Sequence, residues 1–158
     1  MKNLSRTPPK ANLMRTILGF DYFSGKLMTV KIRSADQLAK MRVAGRLAAE
    51  ILELIGPYVV PGVTTEALDK ICHDHIVQVQ NAIPACLGYN GFPKSICTSV
   101  NQVICHGIPS EKKVLKTGDI INIDVTVIKD GWFGDTSKMY CVGQVAPHAK
   151  RLINISQE

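Results

Sequence analysis

The stretch Asn122-Ile-Asp-Val-Thr-Val-Ile-Lys-Asp-Gly-Trp-Phe-Gly-Asp135 constrains this chain more than any other. Ile121, Ile123, Val125 and Val127 alternate with Asn122, Asp124 and Thr126, the period-2 pattern of a half-buried strand. Asp130-Gly131 then signals a two-residue hairpin loop, which needs positive φ at both central positions. With that loop Lys129 faces Trp132, so Asp135 falls opposite Thr126 and diagonal to Asp124. The two carboxylates then share one face, about 7–8 Å apart at the backbone and closer at the side chains. Acid pairs beside hairpins are most often turn formers or solvated surface residues. Here the turn has its own Asp130, and Asp124 is embedded in an apolar run too strong for an exposed edge. Two carboxylates converging on a hairpin repel each other unless something positive lies between them, and a divalent metal is the obvious candidate.

A second cluster lies upstream, from Ser95 to Pro109. Asn101-Gln102 separates two short β-prone runs, so the pattern predicts another hairpin, with His106 leaving its second strand just before Gly107. Glycine permits close backbone approach, and Pro109 ends strand pairing. An imidazole at a strand end suits proton shuttling or metal ligation, although a lone histidine is more often structural.

The segments Cys86-Leu-Gly-Tyr-Asn-Gly-Phe-Pro-Lys-Ser-Ile-Cys97, Val103-Ile-Cys-His-Gly-Ile-Pro109, Gly118-Asp-Ile-Ile-Asn-Ile-Asp-Val-Thr126 and Gly134-Asp-Thr-Ser137 together resemble the bacterial type I methionine aminopeptidases. The resemblance runs from about Met28 to the last residue without a gap. It implies the pita-bread fold, an α+β architecture of two related halves around a curved antiparallel sheet with helices on one face. It also implies a hydrolase that removes the N-terminal methionine of nascent proteins with two divalent metal ions. Co, Mn, Fe and Zn all suit carboxylate and imidazole ligands. Asp124 and Asp135 match family metal ligands. His106 matches the histidine that contacts substrate and helps move protons. Cys86, Tyr89, Phe92 and Cys97 match the wall of the methionine side-chain pocket, where many relatives carry Tyr in place of Phe92.

The family's remaining ligands, a His and two Glu, belong to the second half of the fold, and no counterpart to them is found here. The sequence therefore reads as the N-terminal half of an aminopeptidase domain, residues 28–158, truncated within a helix that begins near Pro147. Alone it is expected to be inactive. The alternative is a non-catalytic pita-bread module that binds peptides or partner proteins, against which the retention of Asp124, Asp135 and His106 argues. The intact enzyme is expected to be a monomer.

Composition is compatible with this reading. At 158 residues and 46% hydrophobic, the chain suits one ordinary globular domain. No apolar run approaches the roughly 20 residues that span a bilayer. The five cysteines include no CxxC pair, so a structural zinc finger is not expected, and reduced thiols suit a cytoplasmic protein. His73-Asp-His75 tempts as a metal motif, but residues two apart on a helix do not face each other.

Residues 1–27 carry Lys2, Arg6, Lys10, Arg15 and Lys26 against Asp21, so much of the positive charge sits there. Pro8-Pro9 and the absence of periodicity argue against packed structure in this segment. A mis-assigned upstream start, with Met28 as the true one, is the preferred explanation. A ribosome- or nucleic-acid-contacting arm is its rival, but residues 28–158 offer no basic or aromatic face for nucleic acid.

The body has clear helix signals. Ser34-Ala-Asp-Gln37 is a capping box. The helix after it runs to about Ile55, with Leu38, Met41, Ala44, Ala48, Ile51, Leu52 and Ile55 as its apolar stripe, and Gly56-Pro57 stops it. Thr64 caps a second helix over Thr64–Gln80 that buries Leu68, Ile71, Cys72, Ile76 and Val79. Two helices followed by strands make an α+β layer, with no internal repeat.

Overall fold

The computed structural model describes residues 32–157. The extension expected at residues 1–27 lies outside the described residues.

Helix α1 spans Ala35–Ile55 and starts at the capping box. Ser34 Oγ accepts from the Gln37 N–H at 3.3 Å, and Gln37 Oε1 accepts from the Ser34 N–H at 3.0 Å. These two bonds satisfy backbone groups that a helix start otherwise leaves without partners. Ala44, Ala48, Ile51, Leu52 and Ile55 are buried, whereas Leu38 and Met41, nearer the N-terminus, remain partly exposed. A short 3-10 turn over Gly56–Tyr58 ends the helix where Pro57 removes a backbone donor.

Helix α2, Thr65–Asp74, begins with Thr64 Oγ1 accepting from the Ala67 N–H. It then widens into a π turn over His75–Val79. That turn corrects the expected buried face. Leu68, Cys72 and Ile76 are buried as expected, but Val79 is 68% exposed and Gln80 only 8%. A π turn adds a residue to the turn, so the last positions rotate away from the 3.6-residue stripe. Gln80 takes the inward position and donates from Nε2 to the Leu47 carbonyl at 2.9 Å.

The sheet has four strands: β1 (Ile83–Pro84), β2 (Cys97–Val100), β3 (Ile120–Lys129) and β4 (Trp132–Cys141). Strand β3 is its centre. Along one edge it pairs with β4 over the full hairpin, from Ile120↔Cys141 to Lys129↔Trp132. The other edge is shared by β2, from Cys97↔Asp124 to Val100↔Ile121, and by β1 at Ile83↔Ile128 and Pro84↔Val127. All pairings are antiparallel. Asp130 and Gly131 have φ of 50° and 79°, the left-handed pair that a type I′ loop requires.

The alternation along β3 separates structure from chemistry. Ile121, Ile123, Val125 and Val127 are fully buried with Ala48, Ile51 and Ile55 of α1. Each such side chain contributes roughly 1.5–3 kcal/mol through loss of water-exposed area. At Gly134 the helix lies directly on β4: a Cβ there would stand 2.1 Å from the Ala44 carbonyl oxygen. Asn122, Asp124 and Thr126 consequently point away from α1. Helix α3, Pro147–Gln157, starts where a helix was expected, and none of its residues is buried.

The second hairpin predicted for Ser95–Pro109 does not form. A turn is present at Asn101-Gln102, but residues 103–109 are not a strand, and β2 pairs with β3 instead. Asn101 explains the difference. It adopts φ 55°, its Nδ2 donates to Asp119 Oδ1 at 2.8 Å, and its Oδ1 accepts from the Ile120 N–H at 3.0 Å. The turn is thereby fastened to the start of β3. The returning segment touches β2 through the Thr98 N–H to Gly107 carbonyl bond at 2.7 Å, and the Gly107 N–H donates to Ser99 Oγ at 3.2 Å.

Candidate active site

The polar face of the β3–β4 hairpin forms the floor of a cavity of about 710 Å³. Asp124 and Asp135 both line it, as does Thr126 between them. Register explains why. Asp135 pairs with Thr126, so Asp135 and Asp124 are diagonal neighbours on the face opposite the α1 contact. Thr126 Oγ1 donates to Asp135 Oδ1 at 3.1 Å. Burial pushes the Asp124 carboxyl above its usual range, the charge of Asp135 raises it further, and His106 partly opposes both. Among the described residues neither carboxylate has a Lys or Arg within ion-pair distance.

The loop before β2 supplies one wall, with Cys86, Tyr89 and Phe92 on the cavity and Cys97 at its far end. Gly88, Asn90 and Gly91 have φ of 84°, 48° and 81°, and this left-handed run folds the loop sharply back on itself. The Gly88 N–H bonds the Phe92 carbonyl at 2.8 Å, and the Phe92 N–H bonds the Tyr89 carbonyl at 2.9 Å. The Ala85 N–H to Thr126 carbonyl bond, 2.9 Å, ties the loop to β3. Cys86 and Cys97 stand together on the cavity: the neighbouring Cys97 thiol lowers Cys86 to about 7, and Cys86, with burial, pushes Cys97 up.

His106 closes the opposite side and also lines the cavity. It leaves no strand; it stands at φ 54° in an irregular loop, next to a glycine that can approach β2 because it lacks a Cβ. The structure therefore brings together all seven residues selected from the sequence. Thr126, Phe133 and Ile108 also line the cavity and were not selected. Thr126 shares the face of Asp124 and Phe133 that of Asp135, so strict alternation would have found both. Ile108 lies in an irregular segment and had no periodic signal.

Asp124 and Asp135 are hard oxygen donors of the type divalent cations take. Their mutual repulsion and missing counter-charge fit a cation between them. Among the described residues no group of three His, Cys, Asp or Glu is poised to hold a metal. His73 and His75 do not join the Asp pair.

Residues 39–158 match the model of metallopeptidase family M24. The chain belongs to that family. It is 60% identical over 131 residues to the methionine aminopeptidase of Escherichia coli strain K12, an alignment covering 83% of this chain and 50% of the relative. The crystal structure of methionine aminopeptidase from Rickettsia prowazekii superposes with a TM-score of 0.79 at 58% identity, over 82% of this chain and 51% of that one. Methionine aminopeptidase from Thermotoga maritima gives 0.78 at 31% identity, with the same coverage of 82% and 51%. The chain thus spans about half the length of the curated relatives it matches. Its α+β layer is that of the pita-bread enzymes expected from the sequence.

Proposed function

We propose that this chain carries the methionine-recognition wall and part of the metal site of a metal-dependent methionine aminopeptidase. The observation that supports the reading best is the pairing of Asp124 with Asp135 on the cavity floor, with no Lys or Arg among the described residues in ion-pair distance of either. The two carboxylates would hold one edge of a pair of divalent ions, of which Co, Mn, Fe and Zn are all chemically suitable. Bound there, such ions supply Lewis acidity and lower the pKa of coordinated water toward neutrality.

The chain's own residues would do the rest of the positioning. Tyr89, Phe92, Cys86 and Cys97 offer aromatic and sulfur surface to an unbranched thioether. A sulfur–aromatic contact of this kind contributes about 0.3–1.5 kcal/mol. His106, at the cavity side and in the electrostatic reach of Asp124, would hydrogen-bond the scissile amide and pass a proton to the departing nitrogen. The substrate class is a peptide or nascent chain that begins with Met. Reduced cysteines accord with a cytoplasmic site of action, and no helix among the described residues is long and apolar enough to cross a membrane.

With two carboxylates and, among the described residues, no third ligand grouped with them, residues 1–158 alone should bind metal weakly and turn over little. A non-catalytic peptide-binding module is the second reading; it gives no reason for an unneutralised acid pair. The test is release of Met from Met-Ala-Ser by residues 1–158 in the presence of Mn or Co, with peptide binding measured alongside. Slow metal-dependent release, abolished in Asp135→Asn, supports the proposal. Binding of the peptide with no metal-dependent release favours the module.

A further inference from the structure

Three side chains of α2 hold the segment just ahead of β2, Asp69 by its backbone and Glu66 and His73 by its side chains. Glu66, Asp69 and His73 lie at positions i, i+3 and i+7, within roughly 60° of one another around the helix. Glu66 pairs with Lys94. Asp69, 7% exposed, accepts through a single oxygen, Oδ1, from the Ser95 N–H at 2.8 Å and the Ile96 N–H at 3.0 Å. His73 Nδ1 lies 2.7 Å from Ser95 Oγ. The gripped residues, Lys94 to Ile96, join two parts of the cavity wall, Phe92-Pro93 on one side and Cys97 on the other. Strand β2 begins only at Cys97, so Ser95 and Ile96 bond to a helix side chain where no ladder reaches them.

The wall itself is closed by its own hydrogen bonds and its left-handed residues, so it can move as a unit. Its position against Asp124 then depends on its two ends. One is the Ala85–Thr126 backbone bond; the other is the grip of α2 on Lys94–Ile96, just ahead of Cys97, which the ladder pairs with Asp124. We propose that Glu66, Asp69 and His73 are positioning residues that set the width of the cavity, and through it the preference for a slim, unbranched N-terminal side chain over a bulkier one. This rests on the aminopeptidase reading of the cavity. The helix touches no substrate. It acts through Phe92 and Pro93, and its release lets the segment ahead of Cys97 swing outward from the sheet while Cys97 stays paired with Asp124, and Asp124 and Asp135 stay in place on the β3–β4 hairpin.

The test compares dissociation constants of Met-Ala-Ser and Phe-Ala-Ser by calorimetry, with Mn affinity measured alongside. The proteins are the full chain and its variants Asp69→Ala, Asp69→Asn, Glu66→Ala and His73→Ala, each checked for folding by circular dichroism. Asp69→Ala should lower the Met over Phe preference about tenfold, within the range that side-chain discrimination in an apolar pocket spans, and leave Mn affinity unchanged. Asp69→Asn keeps the Oδ1 acceptor and should restore the preference. Glu66→Ala and His73→Ala should each lower it by a smaller factor, and they decide the matter if Asp69→Ala does not fold. A merely structural role would weaken peptide and Mn binding together and leave the ratio unmoved. A wild-type chain with no preference for Met overturns the aminopeptidase reading and this proposal with it. A wild-type preference that persists in all folded variants overturns the positioning role alone.

Discussion

Replacing Gly107 by alanine should detach the His106 loop without unfolding the domain. A Cβ at this position would stand 2.1 Å from the Thr98 carbonyl oxygen and 2.7 Å from its carbon. An ordinary carbon–oxygen contact is about 3.3 Å or more, so the loop and β2 must part by roughly 1.2 Å. Two outcomes compete. If the loop stays, the overlap costs about 1–3 kcal/mol or more as overpacking. If it swings out, it loses the Thr98 N–H to Gly107 carbonyl bond and the Gly107 N–H to Ser99 Oγ bond, about 0.5–1.5 kcal/mol each. Residues 103–106 are exposed and pair with no strand, so little else holds them, and release is the cheaper course. The urea midpoint should fall by an amount equivalent to about 1–3 kcal/mol. Hydrogen exchange at the Thr98 amide should accelerate by roughly five- to 140-fold, the same free energy expressed as an opening equilibrium. Thr98 amide protection equal to wild type would refute the argument, because it would mean that the close approach at Gly107 does not hold the loop.

Two further predictions use the corrected helix and the thiol pair. Val79→Ser should change stability by less than about 0.5 kcal/mol, as an exposed position does, whereas Ile76→Ala should cost about 2–5 kcal/mol in urea titration; the reverse order would mean the π turn is not populated. Cys86 should react with iodoacetamide with a half-maximal rate near pH 7, since deprotonation supplies the nucleophilic thiolate and its thiol is lowered to about 7. In Cys97→Ala the midpoint should move up toward the ordinary thiol value of about 8.5, and an unmoved midpoint would remove Cys97 as its cause.

The parts of the fold legible in the sequence were those set by local chemistry. Ser34 and Gln37 mark a helix start, Asp130-Gly131 marks a turn, and alternation in β3 assigns each side chain to a face. Because the hairpin loop has two residues, counting alone placed Asp135 across from Thr126, as the register has it. The misses arose where a distant partner outcompeted local preference. Asn101 looked like a simple hairpin turn, but Asp119 and Ile120, far along the chain, take its side chain. The π turn that exposes Val79 brings Gln80 against Leu47, in a different helix, and no periodicity within α2 encodes that contact. The grip of α2 on Lys94–Ile96 was likewise invisible, because it joins residues well separated in sequence through one buried carboxylate.

If Asp124 and Asp135 form a carboxylate pair that takes a divalent cation, titration of Mn into the metal-free chain, followed by the loss of the free-ion electron paramagnetic resonance signal, will show it. Weak, saturable binding is expected in wild type, with affinity falling at least tenfold in both Asp124→Asn and Asp135→Asn, about 1.4 kcal/mol or more for each lost charge. An unchanged affinity in either folded variant would contradict the claim.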